Sequence, residues 1–217
     1  MKLPEVLPIF PLTGSLLLPD GLLPLHIFEP RYRHMVEDAV ASHGFIGMVQ
    51  PEVPTPSDQQ GQGEDVGGPP ALYEIGCVGQ IEQHQSLPFG RFLIVLKGVC
   101  RYRMVEELPL ERGYRRVRAD YGPFAEDLEE DDVDLDVTSL IESFEKFSQL
   151  RGVEVELERL ADVPPVTLLN GLAMSLPLAP VEKQALLEAE DIAARHSMLL
   201  MLLEMGLAAA AAPGLAN

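Results

Sequence analysis

The apolar positions of this chain change their period near residue 120. Before that point they come in short runs cut by turns. Val6–Phe10 is closed by Pro11, Leu16–Leu18 stops at Pro19-Asp20-Gly21, and Leu22–Phe28 resumes beyond that turn signal. One helix interrupts the pattern. Pro30 suits a first helical position, where its missing N–H would be unpaired anyway. Tyr32, Met35/Val36 and Ala39/Val40 follow at three-to-four spacing on one face, and Gly44 suits the stop. Phe45–Val49 reads as a strand. Tyr73–Gln85 and Arg91–Val99 flank Leu87-Pro88-Phe89-Gly90, which predicts a long antiparallel hairpin with its tip at 87–90. On the upstream arm Ile75, Cys77, Gly79 and Ile81 alternate with Glu74, Gly76, Val78 and Gln80. On the downstream arm Phe92–Leu96 runs without a break, the pattern of a strand buried on both faces. Arg101–Leu108 and Tyr114–Tyr121 supply further strands. Short strands between turn signals predict an antiparallel β-barrel.

From residue 126 the period becomes helical. Val137, Leu140/Ile141, Phe144 and Phe147 make one stripe, and a shorter helix is predicted at about 154–160. Pro164-Pro165 opens another helix, with Leu168/Leu169, Leu172 and Leu176 on one face, and Pro177 ends it. Pro180 opens the next, with Leu186/Leu187 inside. A last helix carries Ile192, Leu199/Leu200 and Leu203. The predicted class is therefore α+β. A β-barrel occupies 1–122 and a helical bundle occupies 123–217, with the tail fraying from about 206. The segment 51–70 has no periodicity and almost no apolar side chains, so a mobile surface insertion is expected there.

Charge sharpens this picture. The chain has 217 residues and a formal net charge of −18. A surface this acidic repels phosphate backbones and anionic lipid, which makes nucleic acid an unfavoured partner. Residues 91–118 are the exception, with 8 basic and 3 acidic groups. The run Glu126–Asp136 holds eight acids and reads as a solvated linker whose last members suit a helix N-terminus. Cys77 and Cys100 are too few for a disulfide framework and fit a reducing cytosol. The prolines at 4, 8 and 11 break any signal-peptide core. The most apolar C-terminal run, Met198–Leu203, is six residues, short of a membrane span. A cytoplasmic protein is expected, without membrane, metal or cofactor.

Several motifs stand in a telling order. They are Pro8-Ile9-Phe10-Pro11-Leu12, then HIFEPRYR over 26–33, and YEIG over 73–76. The hairpin leaves through Gly98-Val99-Cys100-Arg101-Tyr102, and LPLAPVEKQALLE covers 176–188. Together they resemble the N-terminal, substrate-recognition domain of the Lon ATP-dependent proteases, over about residues 5–205. The resemblance implies a PUA-like β-barrel followed by a helical bundle. It also implies a module that holds unfolded or damaged polypeptide segments, or works with a protease or chaperone partner. The sequence contains no G-x-x-x-x-G-K-[ST] phosphate loop and leaves no length for ATPase or peptidase modules. The expectation is a non-enzymatic, stand-alone domain of the kind found in many bacteria. A homodimer is compatible with it.

Candidate chemistry is weighed against plainer roles. His26, His34 and His43 are spaced by eight and nine residues, which does not put them on adjacent turns of one helical face. Ser86 lacks a G-x-S-x-G elbow. Cys77 and Cys100 come near each other in the hairpin, either as a redox pair or as two buried thiols. Phe28, Tyr32, Met35 and Phe89 are the candidates for an apolar, peptide-binding surface, with core packing the competing role for the first three. Phe89 differs because it sits at the tip. Arg101, Arg103, Arg112, Arg115, Arg116 and Arg118 could instead form a stripe that holds a small molecule or anion, unless they pair with the acidic tail.

Overall fold

The computed structural model describes residues 2–52, 70–129, 133–151 and 163–211. Strands β1 (Val6–Pro11), β2 (Leu22–Ile27), β3 (Phe45–Val49), β4 (Ile75–Leu87), β5 (Arg91–Glu111) and β6 (Tyr114–Asp120) form one sheet. Its order is β2-β5-β4-β3-β1-β6, and β6 pairs also with the second half of β5. β1 and β3 run parallel, whereas the other pairs are antiparallel. The sheet is thus mixed, which corrects the all-antiparallel expectation. Helix α1 (Pro30–Ala41) is the physical reason. A parallel return needs a crossover, and α1 carries the chain back so that β3 lies beside β1.

The β4–β5 hairpin turns at Pro88–Gly90, with Leu87 opposite Arg91 and Cys77 opposite Arg101. β5 is a single strand of 21 residues that absorbs both downstream apolar segments. Its exposure alternates. Phe92, Ile94 and Leu96 are buried, but Leu93 is 43% exposed, which corrects the reading of a strand covered on both faces. Opposite Leu93 lie His26 and Gln85, both exposed, so this face of the hairpin meets solvent. Gly98 permits a close approach at the other end. A β-carbon there would come within 2.0 Å of the Leu18 carbonyl oxygen. Its absence lets the buried Leu16–Leu18 segment cross β5, tied by Asp20 N–H to Gly98 C=O and Gly98 N–H to Gly21 C=O.

Four helices follow among the described residues: α2 (Val137–Leu150), α3 (Pro165–Ser175), α4 (Pro180–Glu188) and α5 (Ile192–Ala211). Proline opens α1, α3 and α4. Asp136 caps α2 by accepting from the Ser139 hydroxyl at 2.6 Å and the Ser139 N–H at 3.0 Å, bonds that together lower its carboxyl pKa. α5 stays helical to Ala211, past the position near 206 where fraying is expected. Alanine is the best helix former, and Gly206 lies against the Phe147 ring, where a β-carbon would come within 2.6 Å. By length and composition α5 could cross a membrane, which the six-residue apolar run does not predict. In this fold its Leu199 and Leu203 are fully buried, and it carries the buried Arg195. The helix expected at 154–160 and most of the 51–70 insertion lie outside the described residues.

Two apolar clusters fill the interior. One joins the sheet and α1 to α2–α5, from Leu17, Met35, Cys77 and Leu96 to Leu140, Leu169, Leu186 and Leu203. The other contains Leu7, Ile9, Val78, Cys100, Tyr102 and Val117. Leu96→Ala should cost about 2–5 kcal/mol in chemical denaturation, the usual range for a buried leucine. Leu93→Ala should cost far less, and equal losses would show that both faces of β5 are covered.

Candidate functional site

The basic segment of β5 and β6 is occupied by its own neighbours. Arg101 is buried and grips Asp127 with two nitrogens, Nε to Oδ2 and Nη2 to Oδ1, each at 2.9 Å. The Asp127 carboxylate also accepts the Arg101 backbone N–H at 2.8 Å. Arg101 Nη1 donates to the carbonyls of Leu187 and Ala189 at the end of α4. Arg112 pairs with Glu37 and Asp38, Arg115 with Glu107, Arg116 with Glu111, and Arg118 with Glu5 and Glu106. Arg103 is exposed and makes no ion pair among the described residues. An open anion-binding stripe of Arg101, Arg103, Arg115, Arg116 and Arg118 is therefore corrected to a set of side chains mostly neutralised in place. Apart from Asp127, the partners are acids on α1 and β5 and Glu5 just before β1, not the acidic tail. Asp127, assigned to the solvated run by its sequence, is buried against Arg101.

The thiols lie on opposite sides of the sheet. Cys77 faces Arg101 across the ladder and Cys100 faces Val78, and each belongs to a different apolar cluster. A redox pair is excluded by that placement. Burial drives the Cys77 thiol pKa far up and pushes that of Cys100 up to about 12, so neither is a nucleophile at neutral pH. The histidines are also apart. His34 Nδ1 donates to the Arg112 carbonyl, His43 Nδ1 accepts the Phe45 N–H, and His26 lies beside Phe28.

Of the four apolar candidates, two are surface and two are not. Met35 is fully buried beneath α1, which corrects its place on a binding surface. Tyr32 is 6% exposed, its ring tilted against Phe10 at 4.2 Å between centroids and the Arg31 guanidinium 4.5 Å from its own ring centroid, and burial raises its pKa. Phe28 is 61% exposed and Phe89 is 89% exposed. Phe89 holds a left-handed backbone, φ 64, in the tip turn. Ile27 pairs with Phe92, so β2 ends at the same end of the sheet as this tip. A groove of about 420 Å³ opens there. It is lined by Phe10, Pro11, Leu12 and Ser15, by Leu23–His26 of β2, and by Phe28, Glu29, Arg31 and Tyr32. Tyr32 thus reaches the groove with little of its surface.

With this geometry in place, comparison with known proteins gives the family. The sequence model of the ATP-dependent protease La (LON) substrate-binding domain matches residues 6–205. The chain belongs to that family. It is 30% identical over 205 residues to Lon protease 2 of Myxococcus xanthus and 30% identical over 204 residues to the Lon protease of Heliobacterium modesticaldum. These alignments cover 93% and 92% of the chain but only 24% of each protease. The chain therefore spans about a quarter of the length of these relatives, and the matched part is the substrate-binding domain. The fold is that of a Lon N-terminal domain protein from Xanthomonas campestris, with TM-score 0.58 and 23% identity over 92% of this chain and 97% of that one. The N-terminal domain of the Mycobacterium avium complex Lon protease gives TM-score 0.55 at 15% identity, over 94% and 98%.

The EKQ signature of the LON domain resemblance has a visible purpose here. Glu182 caps α4 by accepting the Ala179 N–H at 2.7 Å. Lys183 Nζ donates to the Gly14 carbonyl at 2.9 Å, and burial pushes its pKa down. Gln184 donates to the Ile75 carbonyl, while its Oε1 accepts from Gln50 Nε2. Gln50 in turn accepts the Gly14 N–H. Gln184 and Lys183, with Gln50, join α4 to β4 and to the β1–β2 connection, and Asp127 fixes Arg101, roles that the sequence pattern did not assign to these four residues. The motif itself was the available signal.

Asp127→Asn should destabilise by about 3–5 kcal/mol, because it leaves a buried guanidinium without its counter-charge. The double change Arg101→Met with Asp127→Leu should cost less than either single change, as measured by urea denaturation. Alkaline pH supplies another check. The folded state raises both thiols above their ordinary 9.0 and Tyr114 above its ordinary 10.0, to about 12. Their contribution is complete below pH 9 and is lost as the unfolded chain ionises above it. The melting temperature should fall from pH 9 to pH 11, and less steeply in Cys100→Ala.

Proposed function

We propose that this domain is a non-enzymatic polypeptide-binding module for unfolded or damaged segments. The observation that carries the reading is an exposed aromatic, Phe28, lining an apolar groove, with a second, Phe89, exposed at the hairpin tip at the same end of the sheet. Exposed aromatic side chains beside a concave apolar wall are the usual anchors of a protein contact. Membership of the LON substrate-binding domain family supports the same ligand class. The burial of both thiols and the pairing of most of the basic segment's arginines weigh against thiol chemistry and an open anion stripe. Two unpaired cysteines fit a reducing, cytoplasmic setting.

Fluorescence anisotropy with labelled, reduced and carboxymethylated casein tests the reading. Phe28→Ala and Phe89→Ala should each weaken binding about tenfold, equivalent to about 1.4 kcal/mol, while changing stability by no more than about 0.5 kcal/mol. Casein affinity unchanged in the folded double variant overturns the assignment of this end as the binding surface. Absence of casein binding by the parent protein overturns the function.

A further inference from the structure

Leu23, Pro24, Leu25 and His26 are consecutive in β2, and all four line the groove. Successive side chains of a strand point to opposite faces, so four in a row meet one cavity only where it runs along the strand's edge. β2 ends the sheet order and pairs with β5 alone. Its other edge makes no backbone hydrogen bond among the described residues. The end of β1 also lines the groove, through Phe10 and Pro11, beyond Ile9, its last residue paired with β6.

Pro24 orients this edge. Proline has no N–H to give a ladder, so its nitrogen faces the unpaired side of an edge strand. Backbone direction alternates along an antiparallel strand, so Leu22 and His26 turn their N–H and C=O groups the same way as Pro24. The free edge therefore presents the carbonyls of three residues and the N–H groups of two, and of these residues Pro24 and His26 line the groove. Such a row is a template for another strand.

Charge sets the polarity of the occupant. Phe28, Glu29, Arg31 and Tyr32 line the groove, and Arg33, next in α1, meets the hairpin tip, since a β-carbon on Gly90 would come within 2.1 Å of Arg33 Nη2. Arg31, Arg33 and Arg91 stand here against one acid, Glu29, which Arg31 already holds at 2.9 Å. Arg33 makes no ion pair or hydrogen bond among the described residues, and its Nε is buried without a partner. In a chain of net charge −18 this is a locally positive corner. Screening over about 8 Å at physiological salt lets it act apart from the distant acids.

We propose that an extended polypeptide segment adds to the free edge of β2 as a further strand, with apolar side chains in the groove and a carboxylate at Arg33. The inference rests on polypeptide being the ligand and adds the mode and charge of what is bound.

The probe is a labelled peptide of about ten residues, alternating leucine and threonine and carrying two glutamates at one end. Two further versions are N-methylated at alternate amides, in opposite phases. One phase blocks the amides that face β2, and the other blocks only those that face away. One methylated peptide should bind the parent protein at least tenfold more weakly than the unmodified peptide, and the other should bind nearly as well. Replacing glutamate by lysine should weaken binding several-fold, and Arg33→Gln should abolish that difference. Equal binding by both methylated phases, or casein binding without peptide binding, overturns strand addition and leaves the proposed function standing. A glutamate-to-lysine difference unchanged in Arg33→Gln overturns the carboxylate contact. Failure of casein and peptide alike overturns the function itself.

Discussion

Arg101 holds the two halves of the fold in one arrangement. A buried guanidinium has five N–H donors and tolerates few geometries in which they are met. Here Asp127 supplies both carboxylate oxygens, and the end of α4 supplies two carbonyls. Those carbonyls are among the acceptors that a helix C-terminus leaves unpaired, at the negative end of its dipole. One side chain on β5 thereby fixes the turn after the sheet and the direction of α4. The ring of Phe124, 4.7 Å from the guanidinium carbon, covers it from solvent.

Beside the apolar packing, further contacts across this seam are polar as well. Gln50, Lys183 and Gln184 meet backbone groups of Gly14 and Ile75, and Asn170 Nδ2 donates to the Pro19 carbonyl. Apolar surfaces slide with small loss, whereas paired donors and acceptors are satisfied in one register. The leucines of α3–α5 thus supply attraction, and the polar pairs supply alignment. The groove lies at the other end of β2 from Gly98 and Leu18, on elements held by this frame.

Much of the architecture was legible because local chemistry decides it. Prolines marked the starts of α1, α3 and α4, and Pro88-Phe89-Gly90 marked the tip and so the register of β4 on β5. What escaped depends on contacts far apart in sequence. The parallel pairing of β1 with β3 follows from where α1 lays the chain, not from any strand pattern. Leu93 belongs to an apolar run yet faces solvent, because composition does not reveal which face is covered. Asp127 looked like one more acid in a run of them, and only Arg101, 26 residues away, distinguishes it. For the groove, Phe28 and Phe89 were visible as aromatics beside turns, while the free edge of β2 required the sheet order.

The two cysteines have a use unrelated to reactivity in the native state. One sits in each apolar cluster, and both are fully enclosed. A thiol reagent can reach Cys77 only when the interior shared with the helices opens, and Cys100 only when the second interior does. Modification rates at the two sites, read separately by mass, are thus two clocks inside one molecule. Matching clocks would mark a fold that opens as one cooperative unit, and diverging clocks would show the helices lifting from a sheet that stays closed.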